Sequence, residues 1–329
     1  YNEIENKMKK DNPLVSIVLA MYKPNLIWLR EQLQSLNTQD YDNLELLVWN
    51  DCPGSDNNDN LFKECITKYP YKIFSGEKNL GSTGAFQKLT ELAKGDYIAY
   101  CDQDDIWKKI KLSTLKYEFD ADSNLTLACS DMSAIDGKGN KLANHIREIY
   151  KRQVPYEEPD LVKTLLSRCF ITGCTILIRT SSAKKALPFP EHMVHDYWLG
   201  IHEAIYGKVK YVHKPLIRYR VHGDNQTAIL AGISTKIDYY ERRICSYYDR
   251  IYELRYRVAD SSFEPLINDA LKWGRRRENY FNKPGIETFF DLLLCFFINW
   301  RINIFELMLP FMPNCLFKYL IKKVKQGKL

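Results

Sequence analysis

The sequence has no CxxC pair and no regular cysteine framework, although nine cysteines occur among its 329 residues. That odd, unpatterned set gives no disulfide scaffold. Cys101, Cys129 and Cys174 sit inside apolar runs, so buried free thiols in a reducing compartment are expected. Concentrated charge is also missing. The formal net charge is only +6, and Arg275-Arg276-Arg277 is the one tight basic cluster. A nucleic-acid partner therefore has no support, because a short charge run is usually a solvated face. No internal repeat or low-complexity tract interrupts the chain. No signal peptide is visible, and since the chain starts at Tyr1 without a Met, a missing upstream segment stays open. No apolar run reaches the ~20 residues that span a bilayer.

What is present centres on residues 95–107. Tyr97 to Cys101 are apolar or aromatic between turn formers, which predicts a buried strand. Asp102, Asp104 and Asp105 follow at once. Carboxylates this close repel one another and are costly to bury without compensation. A divalent cation compensates, and hard oxygen ligands at a strand end suit Mg²⁺ or Mn²⁺, above all where a substrate phosphate shares the ion. The plainer alternative is a solvated acidic turn capping a helix that begins near Ile106.

The surrounding pattern predicts an α/β fold. Leu14 to Ala20 reads as a central parallel strand, and Tyr22-Lys23-Pro24-Asn25 breaks it. Leu26, Leu29, Leu33 and Leu36 then mark a helix. A second strand, 44–51, ends in Asp51, and a polar loop leads to a helix near 60–68 and a short strand at 72–74. Asn79 to Gly84 is a glycine-bearing loop opening another helix. Strand and helix thus alternate to about residue 107, as in a doubly wound, mainly parallel sheet. Further strands are expected at 126–131, 170–178, 209–212 and 216–222, with a helix opening at His195. From about 226 the chain reads as helical, which divides it into a catalytic domain, 1–225, and a C-terminal helical region, 226–329.

The order of these pieces resembles the family 2 glycosyltransferases of GT-A fold. The matching segments are Val15-Ser16-Ile17-Val18 with Tyr22, Trp49-Asn50-Asp51, Asn79-Leu80-Gly81, Asp102-Gln103-Asp104-Asp105, His195-Asp196-Tyr197-Trp198 and Tyr219-Arg220-Val221-His222. The wording Cys101 to Trp107 is most like bacterial rhamnosyltransferases and related surface-polysaccharide enzymes.

The resemblance implies an inverting, metal-dependent transfer of a sugar from a UDP or dTDP donor, dTDP-rhamnose among them, to a hydroxyl of a glycan or lipid-linked saccharide. It assigns the donor to Tyr22, Asp51, Asn79, Gly81, Asp102 and Gln103. Tyr22 would stack on the base and Asp51 would accept the N3–H of uracil or thymine, an interaction suited to a carboxylate. Asp102-Gln103-Asp104 matches the family's DXD motif, so Asp104, with Asp102 and His222, would hold Mn²⁺ or Mg²⁺. Asp105 is read as a helix cap or a supporting group, and a purely structural role for His222 stays open. Asp196 is the candidate general base, and it could also cap its helix. His195 stands where the family usually has an acid, so its role is open. Thr172, Gly173, His195 and Trp198 would face the acceptor, and Trp198 could equally be core.

Two other readings compete. An aspartate-dependent phosphatase also uses Asp-x-Asp after a strand, but leaves Asp51 and His195-Asp196 unexplained. A sugar-binding protein without transfer activity would not need both the acid cluster and Asp196. The C-terminal stretch 286–329 pairs a phenylalanine-rich block with Lys318, Lys322, Lys323, Lys325 and Lys328. It predicts either peripheral contact with an anionic membrane or packing and homodimer formation. The expected location is cytoplasmic, or at the inner face of the cell membrane.

Overall fold

A computed structural model describes residues 12–150, 155, 161–222, 230, 232–259 and 261–325. Its strands are β1 (Val15–Met21), β2 (Leu44–Asn50), β3 (Tyr71–Ser75), β4 (Tyr97–Cys101), β5 (Ile106–Trp107), β6 (Leu127–Ile135), β7 (Lys141–Ala143), β8 (Ile176–Arg179) and β9 (Val209–Arg220). They form one sheet in the order β3-β2-β1-β4-β8-β6-β9-β5, with β7 added on β6. The fold is mixed α/β, and β1 to β4 are mutually parallel.

The first half is built by alternation. β1 is apolar nearly throughout because it is covered on both faces. Helix Leu26–Asn37 covers one of them with Leu29, Leu33 and Leu36, all fully buried. Each such side chain contributes about 1.5–3 kcal/mol. The break before this helix is also its cap: the Asn25 side chain accepts hydrogen bonds from the Ile27 and Trp28 amides at 3.0 and 3.4 Å.

Register explains how the strand ends converge. Met21 lies beside Asn50, Asn50 beside Ser75, and Leu19 beside Cys101, so β1, β2 and β4 deliver Tyr22, Asp51 and Asp102 to one edge. β8 runs antiparallel to β4, with Ala99 opposite Leu177. The chain just before β8, Thr172 and Gly173, therefore arrives at the same edge. β9 pairs with β6 as far as Ile135–Arg220 and with β5 at Ile106–Arg218, which brings Arg220 and His222 to the acidic turn.

Four local expectations are corrected. No helix starts near Ile106: Ile106–Trp107 is a short strand and the helix is Lys111–Ala121, so Asp105 is not its cap. The span 170–178 is not one strand, because Gly173–Thr175 forms a 3-10 turn before β8. The two strands predicted at 209–212 and 216–222 are one, with register shifts on its β6 partner around Asp131 that absorb the Lys214-Pro215 step. The strand expected at 126–131 continues to Ile135.

The chain separates into two compact units, Tyr1–Leu161 with Cys169–His222, and Val162–Arg168 with Gly223–Leu329. The second is helical among its described residues. It has its own apolar cluster, including Ile233, Ile244, Leu309 and Phe317. Its long helix Glu264–Asn282 is tied to helix Trp300–Met308 by buried polar bonds. Trp273 Nε1 donates to Asn303 Oδ1 at 2.7 Å, and Arg277 donates to both oxygens of Glu306 at 2.7 and 2.8 Å. No described helix is long and apolar enough to cross a membrane.

Candidate active site

The site stands at the carboxyl ends of β1, β2 and β4, where open α/β sheets place their ligands. At the first strand end Tyr22 is half exposed, and its backbone is clamped by Gln103. Gln103 Oε1 accepts from the Tyr22 amide at 2.9 Å while its Nε2 donates to the Tyr22 carbonyl at 3.1 Å. Gln103 thus positions the loop that carries the tyrosine.

Asp51 is buried at the end of β2. Its Oδ1 accepts from the Leu80 amide at 2.7 Å and from Trp49 Nε1 at 3.3 Å. The Asn79 side chain donates to the Asp51 carbonyl at 2.8 Å, and Asn79 Oδ1 accepts from the Gly81 amide at 3.2 Å. The loop at 79–81 is therefore fixed to the β2 end. Gly81 turns with φ +71°, a conformation that favours glycine, and opens helix Gly81–Leu92.

The acidic turn is crowded and incompletely neutralised. Burial, then the neighbouring Asp104 and Asp196, pushes Asp102 up to about 7. Asp105 is fully buried, and burial followed by Asp104 and Asp102 holds its carboxyl well above the usual range. Its Oδ1 accepts from the Arg220 amide at 2.9 Å, whereas Oδ2 has no hydrogen-bond partner. Asp104 Oδ2 pairs with His222 Nε2 at 2.9 Å, and the Trp28 ring lies 4.7 Å from that imidazole.

Asp102, Asp105 and Cys174 each offer one ligand atom, and these lie within 4.8 Å of one another. These residues suit a hard divalent cation. Carboxylate oxygens dominate, one of them is buried and unpartnered, and burial drives the Cys174 thiol well above its ordinary value, against a soft thiolate site.

Asp196 is buried in the first turn of helix His195–Tyr206. Its Oδ2 accepts from the Gly173 amide at 3.0 Å and its Oδ1 from the Tyr197 amide at 2.7 Å. A side chain at Gly173 would place its Cβ 2.6 Å from His195 Nε2, so only glycine allows this approach. Thr172 is buried, and its carbonyl accepts from the Thr175 amide and hydroxyl.

Two expected acceptor contacts sit differently. Trp198 is buried and donates Nε1 to the Ala186 carbonyl at 2.8 Å, so it offers the packing role and no open ring. His195 is buried between Phe86 at 4.0 Å and Tyr100 at 5.3 Å, with both ring nitrogens unpartnered. Burial lowers its pKa to about 4, so it is neutral at pH 7.

Sequence reasoning missed two basic residues. Arg220 is fully buried, donates Nε to the Asp104 carbonyl at 2.8 Å, and pairs with Glu31. Its guanidinium also donates to the Asp136 carbonyl at 3.2 Å, which ties the acidic turn to the β6–β7 hairpin. It was legible only as a member of the Tyr219–His222 segment. Lys111 had no signal at all, being one lysine in a lysine-rich stretch. It is fully buried, donates to the Cys174 carbonyl at 2.8 Å, and burial lowers it to about 7.

The family described as Glycosyl transferase family 2 matches residues 16–186, and the chain belongs to that family. An uncharacterized glycosyltransferase of Methanocaldococcus jannaschii is 27% identical over 216 residues, covering 64% of this chain and 72% of that protein. EpsH of Bacillus subtilis, also named as a glycosyltransferase, is 26% identical over 221 residues, covering 64% of this chain and 62% of its own. Among solved structures, residues 1–349 of S. aureus TarS in complex with UDP-GlcNAc superpose with a TM-score of 0.59 at 15% identity. That match covers 95% of this chain and 92% of that one. A mannosyltransferase of Pyrobaculum calidifontis in complex with GDP-Man and Mn²⁺ gives 0.53 at 13% identity, covering 96% and 86%. These likenesses establish the GT-A type of fold.

Proposed function

We propose that this glycosyltransferase moves a sugar from a UDP or dTDP donor to a glycan hydroxyl in a single, inverting displacement. The observation that carries the reading is the convergence of Asp196 on the acidic turn. Asp196 lies close enough to Asp102 to raise its pKa, yet it is held on a different element, by the Gly173 amide. In this reading one carboxylate group serves the donor and another serves the acceptor.

In this reading Tyr22 lies against the base, and the Asp51 carboxylate, oriented by Leu80 and Trp49, accepts the pyrimidine N3–H. Asn79 and Gly81 present the helix start beside it. Asp102, Asp104 and His222 would hold Mn²⁺ or Mg²⁺, with Asp105 as a further carboxylate close to Asp102. When bound, that cation neutralises charge developing on the departing diphosphate. Asp196 takes the proton from the acceptor hydroxyl as its oxygen attacks the anomeric carbon. Thr172 and Gly173 form the backbone edge beside that base. With one base and no protein nucleophile in the scheme, the configuration at the anomeric carbon inverts. A glycan or lipid-linked saccharide from surface polysaccharide synthesis is the proposed acceptor class.

The test is Asp196→Asn assayed by donor-dependent release of nucleoside diphosphate, over a panel of UDP- and dTDP-sugars that includes dTDP-rhamnose. The variant should bind nucleotide as the wild type does and lose transfer by roughly 10²–10⁴-fold. Turnover near that of the wild type, or a product retaining the donor configuration, would overturn the mechanism.

A further inference from the structure

Apolar side chains in the C-terminal unit are exposed in a regular order. Ile286, Phe290, Leu294 and Phe297 follow one another at helical spacing, with Ile286 81% and Phe297 92% exposed. Trp300, Ile304, Met308 and Phe311 continue the pattern, and Phe311 is 78% exposed. Scattered exposed leucines need no explanation, whereas a contiguous run of large ones marks a contact surface.

The opposite faces of these same helices are already used. Asp291 and Cys295 are held by Arg276, at 2.9 and 2.7 Å. Asn303 is held by Trp273, and the Leu307 carbonyl accepts from Tyr280 at 2.8 Å. All four bonds come from three residues of the one helix Glu264–Asn282. Ile286 and Phe290 on the first helix, and Trp300, Ile304 and Met308 on the second, are therefore distinct from the groups bonded to that helix, and Leu294, Phe297 and Phe311 are exposed in the turns that follow. Their exposure does not come from an unformed core, because Leu292, Cys295, Asn303 and Glu306 of the same stretch are buried.

The charges on these helices and on the helix that follows them choose the occupant. Asp291 and Glu306 are neutralised internally by Arg276 and Arg277, which leaves Glu287, beside Ile286, as the exposed acid of these two helices. No acid occurs from Leu307 to the end of the chain. Arg301, Lys318 and Lys322 are exposed, and Lys318 and Lys322 share one face of helix Asn314–Lys325, while Lys325 on that face donates its Nζ to the Ile233 carbonyl at 2.8 Å. Tyr319 is exposed on that helix, with the Lys323 ammonium 5.4 Å from its ring centre. Trp300 and Tyr319 are side chains suited to a headgroup boundary.

We propose that this face docks in the plane of an anionic lipid bilayer, the phenylalanine and leucine row entering the acyl boundary and the lysines meeting the headgroups. A second copy of the chain would bring the same lysines against each other, which this charge distribution disfavours. The surface does not depend on the proposed transfer chemistry.

The experiment is cosedimentation of the whole chain with vesicles of phosphatidylglycerol and phosphatidylcholine, or of phosphatidylcholine alone. Binding should favour the anionic vesicles and weaken as salt rises. Leu294→Glu with Phe297→Glu should lower bound protein at least tenfold with an unchanged circular dichroism spectrum. Lys318→Glu with Lys322→Glu should remove only the preference for anionic vesicles. Light scattering of the lipid-free protein supplies the other arm. A dimer dispersed by the Leu294/Phe297 variant, or a wild type that ignores both vesicles, would overturn the proposal.

Discussion

The two units bury charge in opposite ways. In the helical unit Arg277 and Glu306 are both buried, and Tyr239 adds a hydroxyl bond to Glu306 at 2.9 Å. Arg277 also donates to the Arg243 carbonyl at 3.2 Å and stacks over Trp273, 4.5 Å from its ring centre. Both Glu306 oxygens and the Arg277 Nε and Nη2 groups meet partners of the chain itself. In the α/β unit Asp105 is equally buried, one of its oxygens is unpartnered, and Asp102 and Asp104 crowd it. The first arrangement is closed and serves the packing of two helices. The second is left open, as expected of a site whose missing partner is a ligand.

Breaking the closed pair should give the largest stability effect. Glu306→Gln strands the Arg277 guanidinium, and losing one member of a buried pair costs about 3–5 kcal/mol. Urea unfolding should show this as a lowered midpoint, while Arg277→Met with Glu306→Leu should recover most of the loss. A cost of Glu306→Gln within about 0.5 kcal/mol, as for an ordinary surface change, would erase the contrast.

Opening and closing have different signs. Asp105→Asn keeps the oxygen that accepts from the Arg220 amide and replaces the unpartnered one by an amide able to donate to the nearby carboxylates. The ligand-free protein should gain about 1 kcal/mol at pH 7, within the usual range for relieving an unsatisfied buried group. Mn²⁺ should stabilise the wild type in a thermal-shift assay and the variant much less, since only a ligand bound by the folded form raises its stability. A destabilised variant with an undiminished Mn²⁺ response would make Asp105 a structural residue like Glu306.

Much of this contrast was legible before the fold was known, and the illegible part has physical reasons. Continuous apolar runs and strand-end acids announce a parallel sheet and its ligand edge, so Asp51 and the Asp102–Asp105 turn could be read in order along the chain. The Asp196–Gly173 bond and the Arg220 bridge join residues 23 and 116 positions apart, and only the tertiary fold creates them. The closed pair was invisible for the same reason. Arg277 belongs to a basic cluster that reads as solvated, and Glu306 interrupts an apolar stretch. Burial of the pair follows from how two helices meet. Trp198, which the motif left between an acceptor contact and a core role, is buried and committed to the Ala186 carbonyl.

The smallest effect expected sharpens the comparison at its edge, where a closed bond supports an open site. Gln103 spends both ends of its amide on the Tyr22 backbone, and Tyr22 itself is half exposed. Gln103→Met keeps the length of the side chain and removes both bonds. Each neutral hydrogen bond contributes about 0.5–1.5 kcal/mol, and exposure of the backbone lets water replace part of it, so stability should fall by about 1 kcal/mol. If Tyr22 lies against the donor base, loosening its loop weakens donor binding without touching the proton transfer. The donor KM should then rise roughly three- to tenfold while kcat stays within twofold, the pattern of a lost uniform binding contact. Tyr22→Phe should leave both constants near wild type and Tyr22→Ala should reproduce the KM change, since the ring face and not the hydroxyl stacks on a base. An unchanged KM in Gln103→Met and Tyr22→Ala alike would reduce this clamp to the same purely structural standing as the bonds of the helical unit.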